Sequence, residues 1–413
     1  MRLVSLSLAS CLLLLWAVVA LAAEPPAYRL IDVGTLGGRG STGSDINAFG
    51  TIAGISTVDN FTFRAFVFSR GQLTDIGTLG GPGAIAYGIN DFGAVTGTAD
   101  LFDGDDHAFL YSRGSMQDLG TLGGTFSEGG GVNDFGMVAG DSNLAGDEIF
   151  HAFLWSRGVM RDLGTLGGDY SVGLDVNIFG EVTGNADTAQ STSYGDPITH
   201  AFVHAHGKMQ DIGSAGGFYS EGYRINDLGE VTGTVATSND EDTAEFHAFI
   251  FRDGKMRDIG TLGGVNSHGY GINNRGQVTG RSTVSKDADI FDIKQFRAFL
   301  YENDTMYDLN SLISDEDPLK ARITLTGSYG INDLGLIEAD GFDVETDYNH
   351  AYLLTPVRRF GRWIPKADVG DELSAPRGVV EGSLQRSSHP SFNRGMRAHR
   401  HLPVAADPGR GAP

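Results

Sequence analysis

Three acidic stretches have residue types and spacings that could do chemistry: Asp103-Gly104-Asp105-Asp106, Asn239-Asp240-Glu241-Asp242, and Asp343 with Glu345 and Asp347. Closely spaced carboxylates on a loop supply the hard oxygen ligands that Ca²⁺ takes. Asp103, Asp105, Asp106, Asp240 and Asp242 are therefore candidate calcium ligands, although no stretch follows the twelve-residue spacing of an EF-hand. The competing reading is a solvated acidic surface. A recurring histidine, at His107, His151, His200, His247 and His350, also invites a metal reading. Arg64 and Arg297 hold the same repeat position, however, and a guanidinium does not ligate metals as neutral imidazole does. The better expectation is a hydrogen bond from each His or Arg to a carbonyl or to a recurring aspartate.

Other chemistries find less support. The single cysteine, Cys11, lies in the N-terminal apolar segment, and the chain lacks His-Glu-x-x-His, Gly-x-Ser-x-Gly and a Lys-containing phosphate loop. No catalytic residue is identifiable, and no cofactor is implied apart from the calcium reading. A hydrolase or lyase acting on carbohydrate would have to converge carboxylates over a central channel. Its mark would be one repeat whose inward residues break the pattern with a carboxylate, His or Arg. The net charge of −22 and a pI near 4.7 argue against nucleic acid and anionic membranes as partners.

The elements that must position these residues repeat seven times. The asparagine of an Ile-Asn-Asp-x-Gly element recurs at Asn47, Asn90, Asn133, Asn177, Asn226, Asn273 and Asn332, and the aspartate of an Asp-Ile/Leu-Gly element at Asp32, Asp75, Asp118, Asp162, Asp211, Asp258 and Asp308. Only the acidic segment before each His-Ala-Phe varies freely in length. Short runs of branched and aromatic residues predict four narrow strands per unit, with no room for a helix. The asparagine side chain and the following glycine predict a tight hairpin. The expected fold is all-β, a seven-bladed β-propeller of four-stranded antiparallel blades. Tyr28–Gly34 reads as an isolated fourth strand, and His350–Leu354 as a third strand with no fourth after it. Pairing the two would let the N-terminal strand close the last blade and remove both loose edges. An open or stacked β-repeat array is the alternative.

Repeated His-Ala-Phe, Asp-Leu-Gly-Thr-Leu-Gly-Gly and Gly-Ile-Asn-Asp-x-Gly-x-Val-x-Gly together resemble the HAF repeat of extracellular bacterial and archaeal proteins, over residues 27–357. Departures are Arg64 and Arg297 for the histidine, Ser214-Ala215 for Thr-Leu, and Ala339 for a strand glycine. The resemblance implies export and brings no catalytic residue with it.

Residues 1–23 read as a secretory signal peptide with cleavage near Ala23, too short for a lasting membrane span, so the mature protein is expected to be secreted or periplasmic. Residues 358–413, with ten Lys or Arg against five Asp or Glu and no apolar periodicity, read as a basic, disordered tail. The function expected is binding of an extracellular glycan, protein or cell-surface polymer. The length-variable acidic loops are the expected contact surface.

Overall fold

The computed structural model describes residues 26–59, 62–240 and 243–357. The expected leader, the tail 358–413 and the candidate ligand Asp242 lie outside them. The described residues form an all-β, propeller-like arrangement in which each repeat supplies a four-stranded antiparallel unit. In the second unit the strands are Gly80–Ile89, Val95–Leu101, Asp106–Ser112 and Ser115–Asp118. Units two, three and four merge into one twelve-stranded sheet through single parallel bridges, Asp106 to Phe126 and Phe150 to Tyr170. The other four sheets have four strands each. In the last of them Ala27–Asp32 lies antiparallel to Asn349–Val357, with Ala27 opposite Val357 and Asp32 opposite Tyr352. No helix among the described residues is long and apolar enough to cross a membrane.

The Ala-Phe pair on each third strand explains how the units stack. Neighbouring residues of a strand point to opposite faces, so the alanine meets one adjacent unit and the phenylalanine the other. Phe109 shares a core with Ala65, Phe153 with Ala108, Phe202 with Ala152, Phe249 with Ala201 and Phe299 with Ala248. The same relation joins Tyr352 to Ala298 and Phe66 to Ala351. The small residue leaves the space that the next unit's ring fills. Burying such a ring contributes about 2–3 kcal/mol. The leucines of the crossover segments, such as Leu79 and Leu122, pack against these cores, as their place between units predicts.

The last unit departs from the pattern in a readable way. The longer spacing from Asp308 to Asn332 houses a one-turn helix, Leu309–Leu312, capped by the Asp308 side chain, and Leu309 and Ile313 enter the core. The antiparallel order fixes two faces. One carries the seven Asn-x-x-Gly turns and the hairpins between third and fourth strands. The variable loops and the crossovers lie on the other.

Candidate functional site at the Asn-x-x-Gly turns

The recurring histidines and aspartates resolve into architecture. His107, His151, His200, His247 and His350 each place Nδ1 2.8–3.0 Å from the aspartate of the adjoining fourth strand, respectively Asp118, Asp162, Asp211, Asp258 and Asp32. The aspartates also accept the amide of the glycine two residues on, for example Gly120 to Asp118 at 2.7 Å. Arg64 replaces the imidazole with a looser contact to Asp75 at 3.8 Å. Arg297 departs from the scheme and donates to the carbonyls of Lys294 and Phe296.

The asparagines organise the axis. Each buried Asn side chain accepts two amides of its own turn through Oδ1, for Asn133 those of Phe135 and Met137 at 3.0 Å each. Its Nδ2 donates to the backbone carbonyl of the next unit's asparagine. The bonds run from Asn47 to Asn90, Asn133, Asn177, Asn226, Asn273 and Asn332, and from Asn332 back to Asn47, at 2.8–3.2 Å. The turn glycine takes a φ of 71° to 79° in every copy, a conformation that side chains disfavour.

A cavity of about 240 Å³ lies where the seven turns meet. Its outer rim consists of the residues that follow the asparagines: Ala48, Asp91, Asp134, Ile178, Asp227, Asn274 and Asp333. Neighbours bond around this rim, the amide of Asp91 to Asp134, that of Asp227 to Asn274 and that of Asn274 to Asp333, at 2.8–3.0 Å. Among the described residues none of the four rim carboxylates pairs with a basic side chain. Burial, reinforced by the charges of Asp91 and Asp227, holds the Asp134 carboxyl above its ordinary range.

One layer further in, the repeat breaks. The position two residues before the asparagine is glycine in four units, and at Gly88 an added Cβ would meet the Gly130 carbonyl at 2.7 Å. The remaining units place Asp45, Asp175 and Arg224 there. Arg224, of the fifth unit, donates to the carbonyls of Ser44 at 2.9 Å and Tyr87 at 3.2 Å, in units one and two. Its guanidinium lies 3.7 Å from both Asp45 and Asp175. Burial pushes both carboxyls up in spite of this cation, while backbone amides of the next unit bond to them, Ile89 to Asp45 and Ile225 to Asp175. The arginine thus ties the fifth unit to units one, two and four. Beyond it Tyr270 packs 4.9 Å from both Tyr223 and Tyr329, and burial lifts Glu128 and Glu221 to about 7 and Glu338 to about 8.

Around the rim stands a circle of apolar side chains that sequence reasoning passed over. The tip residue of each turn is Phe49, Phe92, Phe135, Phe179, Leu228, Arg275 or Leu334. The six apolar ones are 58–82 % exposed. A turn tip is commonly polar, so six large apolar side chains left mostly in solvent on one face contribute little to the core. Exposed apolar patches of this kind mark interaction surfaces. The opposite face also exposes large apolar side chains, Phe102, Ile149, Tyr194, Val284, Phe291, Val344 and Tyr348, but they hold no common position in the repeat.

The candidate calcium ligands among the described residues fall in two different units. Asp103 and Asp105 sit in the turn before Asp106–Ser112, and the Asp105 carbonyl accepts the Leu101 amide. Asp106 begins the strand, where burial and then Asp100 lift its carboxyl to about 6. Asp240 lies in another unit, its carbonyl accepting the amides of Thr243 and Ala244. In the third stretch Arg322 pairs with Asp343 and Glu345, and Lys294 with Asp347. Among the described residues no group of three or more His, Cys, Asp or Glu side chains is placed to hold a metal ion.

No protein-family model and no curated protein matches this chain. Solved structures similar to it include TolB from Acinetobacter baumannii, 14% identical over 52% of each chain with a TM-score of 0.38. The β-propeller domain of the Trilobed protease from Pyrococcus furiosus is 10% identical over 67% of this chain and 80% of that one, with a TM-score of 0.34. Pyrococcus horikoshii acylaminoacyl peptidase is 12% identical over 71% of this chain and 48% of its own, with a TM-score of 0.40. The chain thus spans about half the length of TolB and of the peptidase.

Proposed function

We propose that this chain is a seven-bladed β-propeller, closed by its N-terminal strand, that is exported and serves as a binding platform through the face carrying the Asn-x-x-Gly turns. The asparagine bonds that return to Asn47, and the pairing of Ala27–Asp32 with Asn349–Val357, support the closed ring. The observation that carries the binding reading is the apolar circle around an unpaired acidic rim. Its chemistry suits a basic protein segment with apolar or aromatic side chains, since the carboxylates attract the charge and the rings supply the contact area. The variable acidic loops, expected to be the contact surface, are secondary in this reading.

The test uses two synthetic peptides of equal length, one of alternating Arg and Phe and one of alternating Glu and Phe. The wild-type chain should bind the first and not the second. Replacing Phe49, Phe92, Phe135 and Phe179 together by Ser should weaken that binding at least tenfold and leave thermal stability nearly unchanged, because the rings lie in solvent. Replacing Asp103, Asp105 and Asp106 by Asn on the opposite face should have no effect. If the loop variant loses binding and the Ser variant does not, the assignment of the face is wrong.

A second reading, a carbohydrate-active hydrolase or lyase, draws on the lifted carboxyls of Glu128, Glu221 and Glu338 on the first and second strands of their units, since perturbed carboxyls mark candidate acid–base groups. Release of product from a polysaccharide panel, abolished by Glu221→Gln, would favour it.

A further inference from the structure

The Asn-x-x-Gly face is also the face from which the C-terminal tail departs. Third strands run toward the turns, so Asn349–Val357 ends there, two strands out from the innermost strand of its unit, Ile323–Ile331. Strands lie about 4.8 Å apart, so the rim is about 10 Å from the point where the tail begins, and six extended residues reach about 20 Å. Those six residues are Arg358, Arg359, Phe360, Gly361, Arg362 and Trp363. They carry three cations and two aromatic rings. The rim they face carries Asp91, Asp134, Asp227 and Asp333 without basic partners among the described residues, inside a ring of exposed Phe and Leu.

We propose that residues 358–363 of the chain itself occupy this site, the arginines over the acidic rim and the aromatic side chains against the apolar circle, and that an outside partner must displace them. The inference rests on the binding reading given above for that face, and it names the segment that competes for it. Tethering supports it: a segment attached within reach of its site has an effective concentration in the millimolar range, so even weak contacts keep it bound. Charge complementarity argues for this occupant over the protein's acidic variable loops, which the rim would repel.

Trp363 gives a direct readout. The difference in fluorescence between the wild-type chain and Trp363→Phe isolates the emission of that one indole. Docking predicts blue-shifted emission shielded from acrylamide, lost both in the Arg358→Glu, Arg359→Glu, Arg362→Glu triple variant and in the four-Phe-to-Ser variant. The same triple variant should bind the Arg/Phe peptide five- to tenfold more tightly than the wild type, because its competitor has been removed. Emission of a fully solvated tryptophan in the wild-type chain would overturn the proposal, as would a shift that vanishes on dilution, which would place the segment on a second copy. If neither chain binds the peptide, the binding reading fails while Trp363 still reports on the tail. If both bind it equally, the tail proposal fails and the binding reading stands.

Discussion

Replacing Asn133 by Ala is expected to lower the unfolding free energy by about 3 kcal/mol, from the loss of three buried hydrogen bonds at about 1 kcal/mol each. The side chain is 6 % exposed, accepts the amides of Phe135 and Met137, and donates to the Asn177 carbonyl at 2.8 Å, so no water replaces what is lost. Asn133→Asp separates the two roles. A carboxylate can still accept both turn amides, but it cannot donate, and it sets a negative charge against a carbonyl oxygen. The Asp variant should therefore be destabilised at pH 7 and recover on acidification, when the protonated carboxyl can donate again. Chemical denaturation of both variants at pH 5 and pH 7 reads this out.

The same substitution at Asn332 tests closure. Asn332 donates to the Asn47 carbonyl at 2.9 Å, a bond between residues 285 apart in the chain. In a closed ring Asn332→Asp loses as much as Asn133→Asp and shows the same recovery in acid. A ring open at that seam would leave Asn332→Asp nearly neutral while Asn133→Asp stays costly. A second seam variant, Ala351→Leu, should also destabilise, because it fills the space that Phe66 occupies.

What could be read in advance was what recurs. Each strand, each tight turn and the His–Asp pairing follow from residue types repeated at fixed offsets, and the Ala-Phe pair holds the packing rule between units in two letters. The features concentrated at the axis were harder to see. A single Phe at a hairpin tip is unremarkable, and Phe92 becomes informative only when six other tips are placed on its circle. Arg224 breaks the repeat visibly, yet the carbonyls it reaches are 180 and 137 residues away, so its bridging contacts could not be read from the repeat. The acidic stretches were legible as sequence but their partners were not: Arg322, which pairs with Asp343 and Glu345, lies just before another strand of the unit, Ile323–Ile331.

Thermal stability is expected to fall as the pH rises from 5 to 8.5, the reverse of a protein held together by salt-bridged carboxylates. Glu338 is fully buried and Glu221 nearly so, and burial raises their carboxyls to about 8 and about 7. Glu128 is lifted to about 7 by the same cause, and Asp141 and Asp340 stand well above the usual range, Asp340 through burial and the neighbouring charge of Glu338. In the unfolded chain these groups release their protons near pH 4. Between there and pH 8 the native state binds more protons than the unfolded one, so stability declines with rising pH.

The histidine pairs act with the same sign. Burial alone would lower the imidazoles of His247 and His350, but bonds and charge contacts to Asp258 and Asp32 hold them above their ordinary value. That stabilisation is complete below the unfolded pKa and is lost as the pH climbs through the folded one. The depressed carboxyls, Asp343 at about 2 and Asp258, oppose this only under more acidic conditions, where their protonation removes stability. The combined loss is on the order of 10 kcal/mol, or roughly 15 °C in Tm. Glu338→Gln provides the check, since the amide oxygen can still accept the Tyr329 amide that bonds to the carboxyl at 3.0 Å. It should match the wild type at pH 5 and melt higher at pH 8.5. A Tm that stays flat across this range, or a Gln variant equally weakened at both ends, would mean that these carboxyls are ionised within the fold. The channel would then be lined by charge at neutral pH, and the negative potential now confined to the rim would extend down the axis.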